Sequence, residues 1–158
     1  METKLDQKRM ERVRRRCGFT NGIEMEAEGS RGGLCLAWKG DIDVSVKSFY
    51  GSPYLKDRNS AWDLLRRLSQ GNLQPWLVAG DFNEILFGFE KNGGGQRDQR
   101  GMDAFRDTLE DCQLMDIGYS GSWYTWERGN LPETNIRERL DRGVANNKWM
   151  MLFPTGSV

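Results

Sequence analysis

Trp76-Leu77-Val78-Ala79-Gly80-Asp81-Phe82-Asn83-Glu84 is the stretch on which the reading of this chain turns. An apolar run short enough for a buried strand stops at a glycine. A carboxylate and a carboxamide follow, one residue apart. Side chains two apart on an extended segment point the same way, which predicts that Asp81 and Asn83 face one small cleft. An anionic oxygen beside an amide that donates and accepts suits a hydrated Mg²⁺ or a phosphate ester. Asp and Asn are also ordinary turn residues, so the run by itself equally fits a strand-ending turn.

The rest of the composition narrows the class. The chain has 158 residues, room for one domain. Its mean hydropathy of −0.71 is polar, yet its six tryptophans and seven phenylalanines argue against disorder. Lys+Arg and Asp+Glu balance at 23 each, so no global field draws in a polyanion. Histidine is absent, so chemistry that needs an imidazole finds none in the chain. The three scattered cysteines fit reduced thiols, not a disulfide frame or a zinc site. With no apolar run near the ~20 residues of a membrane span and a polar start at Met1-Glu2-Thr3-Lys4, the expectation is an intracellular protein, nuclear or cytoplasmic and not secreted.

Working outward from the central run, Lys4 to Cys17 reads as a basic helix with a thin apolar stripe of Leu5, Met10 and Val13. Such a charge run is ordinarily a solvated face, although it also suits a DNA backbone. Leu34–Trp38 and Ile42–Val46 read as strands joined by hairpin chemistry at Lys39-Gly40-Asp41. Ala61, Leu64, Leu65 and Leu68 follow helical spacing, and Gly71 ends that helix. Phe87 to Gly101 is glycine-rich and reads as a mobile loop; its Gly93-Gly94-Gly95 lacks the Gly-Lys-Ser/Thr of a phosphate loop. Met102, Phe105, Leu109 and Cys112 mark a second helix. Short strands are expected at Leu114–Ile117, Trp123–Trp126 and Ile136–Leu140, and a last helix at Asn146–Leu152. Strands with interspersed helices make an α/β or α+β layered domain.

Five local patterns occur in order: Glu2-Thr3-Lys4, Phe49-Tyr50-Gly51-Ser52-Pro53, Gly80-Asp81-Phe82-Asn83-Glu84, Ser122-Trp123-Tyr124-Thr125-Trp126 and Arg137-Glu138-Arg139-Leu140-Asp141-Arg142. Together they resemble the endonuclease/exonuclease/phosphatase superfamily. More narrowly, the chain is similar to the endonuclease region of plant LINE-type (non-LTR) retrotransposons. The resemblance implies an α+β, four-layer sandwich of two packed sheets flanked by helices. It also implies phosphodiester cleavage of DNA with Mg²⁺ and a water nucleophile. Matched motif by motif, Glu2 takes the place of the metal-binding glutamate and Tyr50 that of the tyrosine at the scissile phosphate. Asp81 matches the aspartate that orients the water, Asn83 its amide neighbour, and Asp141 the aspartate that orients a histidine. Trp123, Trp126 and Arg139 are candidate nucleic-acid contacts, although tryptophans in such a run are more often core.

The departures from the family pattern shape the expectation as much. The family's first strand lies upstream of the glutamate, and its last motif is Ser-Asp-His; neither is found here. The 47–50 junction is short, which fits an internal deletion, a mis-joined exon or a natural short variant. The expectation is one domain over 1–158, incomplete at both ends: a remnant of a Mg²⁺-dependent endonuclease with its activity lost. The alternatives are a non-enzymatic nucleic-acid or protein-binding module, and an active minimal Mg²⁺ nuclease or phosphatase. Oligomeric state is not legible.

Overall fold

The computed structural model describes residues 2–3, 7–25, 33–38 and 47–156. The expected strand at Ile42–Val46 and the hairpin at 39–41 lie outside the described residues. The chain divides into two compact units, Met1–Val46 and Lys47–Val158.

In the first unit, strands β1 (Glu2–Thr3), β2 (Asn21–Met25) and β3 (Gly33–Trp38) form an antiparallel sheet in the order β1-β3-β2. Helix α1 (Gln7–Arg16) stops one residue before the Cys17 expected from sequence, and the expected start at residues 4–6 lies outside the described residues. Its end is set by Gly18 at φ +81. The Gly18 amide donates to Arg15 O and the Phe19 amide to Arg14 O, at 3.0 and 3.2 Å. These two bonds satisfy carbonyls the helix leaves open, and a glycine takes the left-handed position at no steric cost.

The second unit carries a four-stranded sheet, β4 (Lys47–Tyr50), β5 (Leu77–Asp81), β10 (Asp141–Ala145) and β7 (Met115–Asp116), in the order β4-β5-β10-β7. A smaller sheet joins β6 (Lys91–Asn92), β9 (Ile136–Glu138) and β8 (Trp126–Arg128) in the order β6-β9-β8. Helices α2 (Leu55–Ser69) and α3 (Gln99–Asp111) pack against one face of the larger sheet, and α4 (Asn147–Leu152) follows β10. The core joins Phe49, Val78, Phe82 and Val144 of the sheet region to Trp62 and Leu65 of α2 and Phe105 and Leu109 of α3. Rings pack through it: Phe49 to Phe82 at 4.8 Å between centroids and Phe82 to Phe105 at 5.1 Å, both tilted, and Phe105 stacked on Trp62 at 4.7 Å. The α+β class expected from the sequence is the one observed.

Local differences have local causes. The buried face of α2 is Arg58, Trp62 and Leu65, and Leu64 is exposed. The helix is turned from the leucine stripe because Trp62, the largest side chain, takes the core. The segment 87–101, expected as a mobile loop, contains a 3-10 turn at Gly88–Glu90, β6, and the start of α3 capped by the Asp98 carboxylate on the Arg100 amide. The strand expected at Trp123–Trp126 begins only at Trp126. β10, a central strand, is not foreshadowed by periodicity at all, because Arg142, Gly143, Val144 and Ala145 are all buried and none alternates with solvent.

Arg142 explains how a cation sits there. Its guanidinium reaches Glu90 at 2.8 Å and Asp116 at 3.1 Å and lies over the Phe105 ring. Arg139 shares both acids, at 3.8 and 3.1 Å. Glu90 also accepts the Leu86 amide at 2.6 Å. Removing one member of such a buried set strands its partners' charge, at a cost of about 3–5 kcal/mol. Glu90→Ala is therefore expected to lower stability by about that amount, measured as a urea midpoint shift against wild type. Glu90→Gln, which keeps the acceptor for the Leu86 amide, should recover only part of it.

Candidate active site

β4 runs parallel to β5 with Tyr50 opposite Asp81, and β10 runs antiparallel to β5 with Asp141 opposite Asp81. Directly opposed residues share a face, with Cα atoms about 5 Å apart. Tyr50, Asp81 and Asp141 thus form one row across three neighbouring strands, at the end of β5 where the chain leaves the sheet. Strand alternation places Phe49, Val78 and Val144 on the opposite face, against α2 and α3. Tyr50 is exposed, and Asp81 and Asp141 are half-buried.

Asn83 reaches this row by a route the sequence did not suggest. It is not extended but left-handed, with φ +54. Its amide donates to Asp81 Oδ1 at 2.8 Å, an Asx turn that reverses the chain just past β5. Its side-chain Nδ2 then donates to Gly51 O at 2.9 Å. The Gly51 amide returns a bond to Asp81 O at 2.7 Å. Asn83 therefore ties the loop after Tyr50 to the turn after Asp81. The fit demands glycines: a Cβ on Gly51 would stand 2.2 Å from Phe82 O, and one on Gly80 would stand 2.0 Å from Phe49 O.

Sequence reasoning passed over four residues that build this site. Thr125 Oγ1 accepts both the Leu140 and Asp141 amides, at 3.0 and 2.9 Å, and so sets where Asp141 begins. The signal was present in the Ser-Trp-Tyr-Thr-Trp run, where the tryptophans drew attention. Glu84, Arg58 and Arg97 are the others. Arg58 donates to Ser52 O at 3.2 Å and pairs with Glu84, so it braces the same loop that Asn83 holds. Arg97 lies 3.9 Å from Glu84 and donates to Glu138 at 2.6 Å; Lys91 also reaches Glu138, at 2.7 Å. The negative charge of Asp81 is within electrostatic reach of both Arg58 and Arg97.

The pKa directions follow from this chain of charges. Burial pushes the Arg58 guanidinium down, with Glu84 opposing. Burial also acts downward most strongly on Arg97, but its hydrogen bond to Glu138 together with the charges of Glu138, Glu84 and Asp81 outweighs it and the net shift is upward. Burial would raise Glu138, yet hydrogen bonds from Arg97 and Lys91 prevail and hold its carboxyl below the usual range. A cleft of about 440 Å³ opens beside this network, between Gly93-Gly94-Gly95, Lys91, Arg97 and Met102.

Of the remaining candidates, Trp126 is partly exposed on β8. Trp123 stacks on Phe89 and meets Tyr119 edge-on. Arg139 is buried, its guanidinium spent on Glu90 and Asp116 and lying 4.7 Å from the Trp123 ring centre, so its contacts are structural. Glu2 lies on β1, opposite Leu34; its side chain lies outside the described residues. Among the described residues, no three His, Cys, Asp or Glu side chains converge as a metal cluster. No described helix is long and apolar enough to cross a membrane.

Residues 1–150 match the family model for the Endonuclease/Exonuclease/phosphatase family. The chain belongs to that family. Among curated proteins, none matches it. Enzymes of the endonuclease/exonuclease/phosphatase family generally use divalent metals such as Mg²⁺, and its nucleases act on nucleic acids. The Tyr50–Asp81–Asp141 row is thus a set of oxygen-bearing side chains in a member of a hydrolase family, braced from behind by buried ion pairs.

Two expectations follow from this geometry. Asn83→Gly keeps the left-handed backbone and loses only the bond to Gly51, whereas Asn83→Ala loses the bond and adds strain of about 1–2 kcal/mol. Thermal unfolding should therefore rank wild type above Asn83→Gly above Asn83→Ala. Glu138, with its folded value depressed, contributes stability that is present above the unfolded carboxyl value of about 4.3 and lost as pH falls through the folded value. Glu138→Gln should be less stable at pH 7 and show a flatter decline in stability below about pH 4, read from urea curves at stepped pH.

Proposed function

We propose that this chain carries the metal-and-phosphate half of a Mg²⁺-dependent phosphodiesterase site, of the kind found in the endonuclease of LINE-type retrotransposons, and is catalytically silent by itself. The observation that carries the reading is the row of Tyr50, Asp81 and Asp141 at one sheet end, in a chain without histidine.

The donor set fits the metal. Mg²⁺ keeps several waters and takes one or two carboxylates plus phosphate oxygens. Asp81 and Asp141 supply carboxylates on neighbouring strands. When bound, Mg²⁺ would offset charge on the phosphate and lower the pKa of a coordinated water. The chain's own groups do the rest. The Tyr50 phenol, exposed above the sheet end, donates to a phosphate oxygen. Asp81 accepts a proton of the water and orients it, held in place by its own bond to the Asn83 amide. Asn83 itself acts through position: with Nδ2 committed to Gly51, it keeps the Tyr50 loop and Asp81 in register.

The chain has no histidine to serve as a donor beside the developing charge. Removing one such donor from a comparable site costs about 10²–10³ in rate. Lys and Arg hold a phosphate but are poor proton donors near pH 7, given reference values of about 10 and above.

Two measurements test this. The purified chain with Mg²⁺ or Mn²⁺ should cut neither plain nor abasic duplex DNA above the level of an Asp81→Ala control. EDTA-sensitive cleavage that vanishes in that control would show the row to be sufficient without an imidazole. Mn²⁺ should broaden NMR signals of residues 81–83 and 141 in wild type and spare them in Asp81→Asn; uniform broadening or none would remove the metal half of the proposal.

A further inference from the structure

Charge in this chain balances overall but not locally. Lys+Arg and Asp+Glu both total 23, yet α1 carries six cations against one acid, Glu11. Arg14 is buried and donates to Phe19 O at 3.1 Å, part of the helix end described above. The other five cations are exposed. At about 100° of turn per residue, Lys8, Arg9, Arg12, Arg15 and Arg16 fall within about a third of the helix circumference. That arc lies opposite Met10 and Arg14, the buried residues of α1.

Such an arrangement is costly for a face that only meets water. Solvated helices ordinarily interleave signs at i and i+4. Here Lys8, Arg12 and Arg16 repeat one sign at that spacing, each pair costing a few tenths of a kcal/mol. The helix's own acid, Glu11, pairs with Arg15 at 2.8 Å. Arg14, Arg15 and Arg16 in the last turn suit the helix dipole, but Lys8 sits near its positive end, and the helix's own first turn holds no acid. A polyanion laid along the arc relieves both penalties.

We propose that the exposed basic face of α1 binds the phosphodiester backbone of nucleic acid, as a docking surface made by residues other than the Tyr50–Asp81–Asp141 row. Arginine dominates the face, and its fork bonds phosphate oxygens two at a time. From Lys8 to Arg16 the helix rises about 12 Å, and a duplex presents a charge every ~1.7 Å of its axis, so each exposed cation finds a phosphate. An anionic membrane is the poorer fit. Helices that lie on bilayers bury a wide apolar face. On α1, Met10 is already buried in the protein, which leaves Val13 as the apolar residue open to solvent.

The test uses the full chain and a fluorescein-labelled 20-base-pair duplex of mixed sequence, with anisotropy read from about 50 to 200 mM salt. About four neutralised phosphates predict a slope of log K against log salt near −3.6, a loss of roughly a hundredfold over that range. Arg12→Glu/Arg16→Glu should bind at least tenfold more weakly at 100 mM salt with a slope shallower by about 2, on the order of 0.9 for each phosphate no longer neutralised. Arg67→Glu/Arg100→Glu, an equal charge change at exposed positions elsewhere, should keep the wild-type slope. Circular dichroism checks folding; the milder Arg12→Gln/Arg16→Gln reads the same slope should the reversal unfold α1. Equal weakening in both charge-reversal pairs would mean net charge alone is sensed and would overturn the proposal. So would an unchanged slope in the α1 variants, or tighter binding to phosphatidylserine vesicles than to the duplex. Asp81→Ala should bind as wild type does, which keeps this result separate from the fate of the proposed metal site.

Discussion

The pairing of β5 with β10 is the constraint from which the rest of the second unit follows. It sets Asp141 opposite Asp81, and the parallel pairing of β4 on the other side sets Tyr50 opposite Asp81 as well. A slip of one residue in either register would turn one of these side chains to the helix face. What holds the β10 register is charge buried in the core. Arg142, one residue past Asp141, reaches Glu90 and Asp116 with its two terminal nitrogens, so a slip of β10 along β5 would draw its charge away from both acids. Buried ion pairs add little net stability over apolar packing, but they penalise misplacement heavily, and register is what this sheet has to secure.

A second chain of charges braces the turn that follows β5. Arg58, Glu84, Arg97, Glu138 and Lys91 run from the loop after Tyr50, beneath the Asp81–Asn83 turn, to the glycine-rich segment. With Asn83 bonded to Gly51, the backbone around the three-residue row is held from two directions. A hydrolytic site needs its oxygen ligands prearranged, because reorganising them during reaction costs rate.

Much of this was legible along the chain. The strand that ends at Gly80-Asp81, the helices α2 and α3, and the last helix, expected at Asn146–Leu152 and found at Asn147–Leu152, all follow from local periodicity and turn chemistry. The family could be reached from five short motifs in order. Less legible was anything in which a polar side chain takes a buried place. β10 went unseen because Arg142 reads as surface, and the buried face of α2 was misjudged because Arg58 reads as solvent-facing. Arg139 resembled a ligand contact and is a core residue for the same reason: its acidic partners lie far away in sequence.

The sequence by itself determined which chemistry is available. Oxygen donors at Tyr50, Asp81, Asn83 and Asp141 are present and an imidazole is not, and no fold changes that. It also determined some element ends, such as Gly71 just past α2 and Gly80-Asp81 closing β5, since glycine, Asx and cap preferences act over a few residues. The tertiary structure alone decided which of those donors meet. Tyr50 and Asp141 are 91 positions apart, and their alignment with Asp81 depends on strand register. It also decided that Asn83 joins them through a left-handed turn instead of strand alternation. Register and turn handedness are settled by contacts between distant segments, by Arg142 in its acid pocket and by Gly51 against Phe82, and no local pattern encodes such contacts.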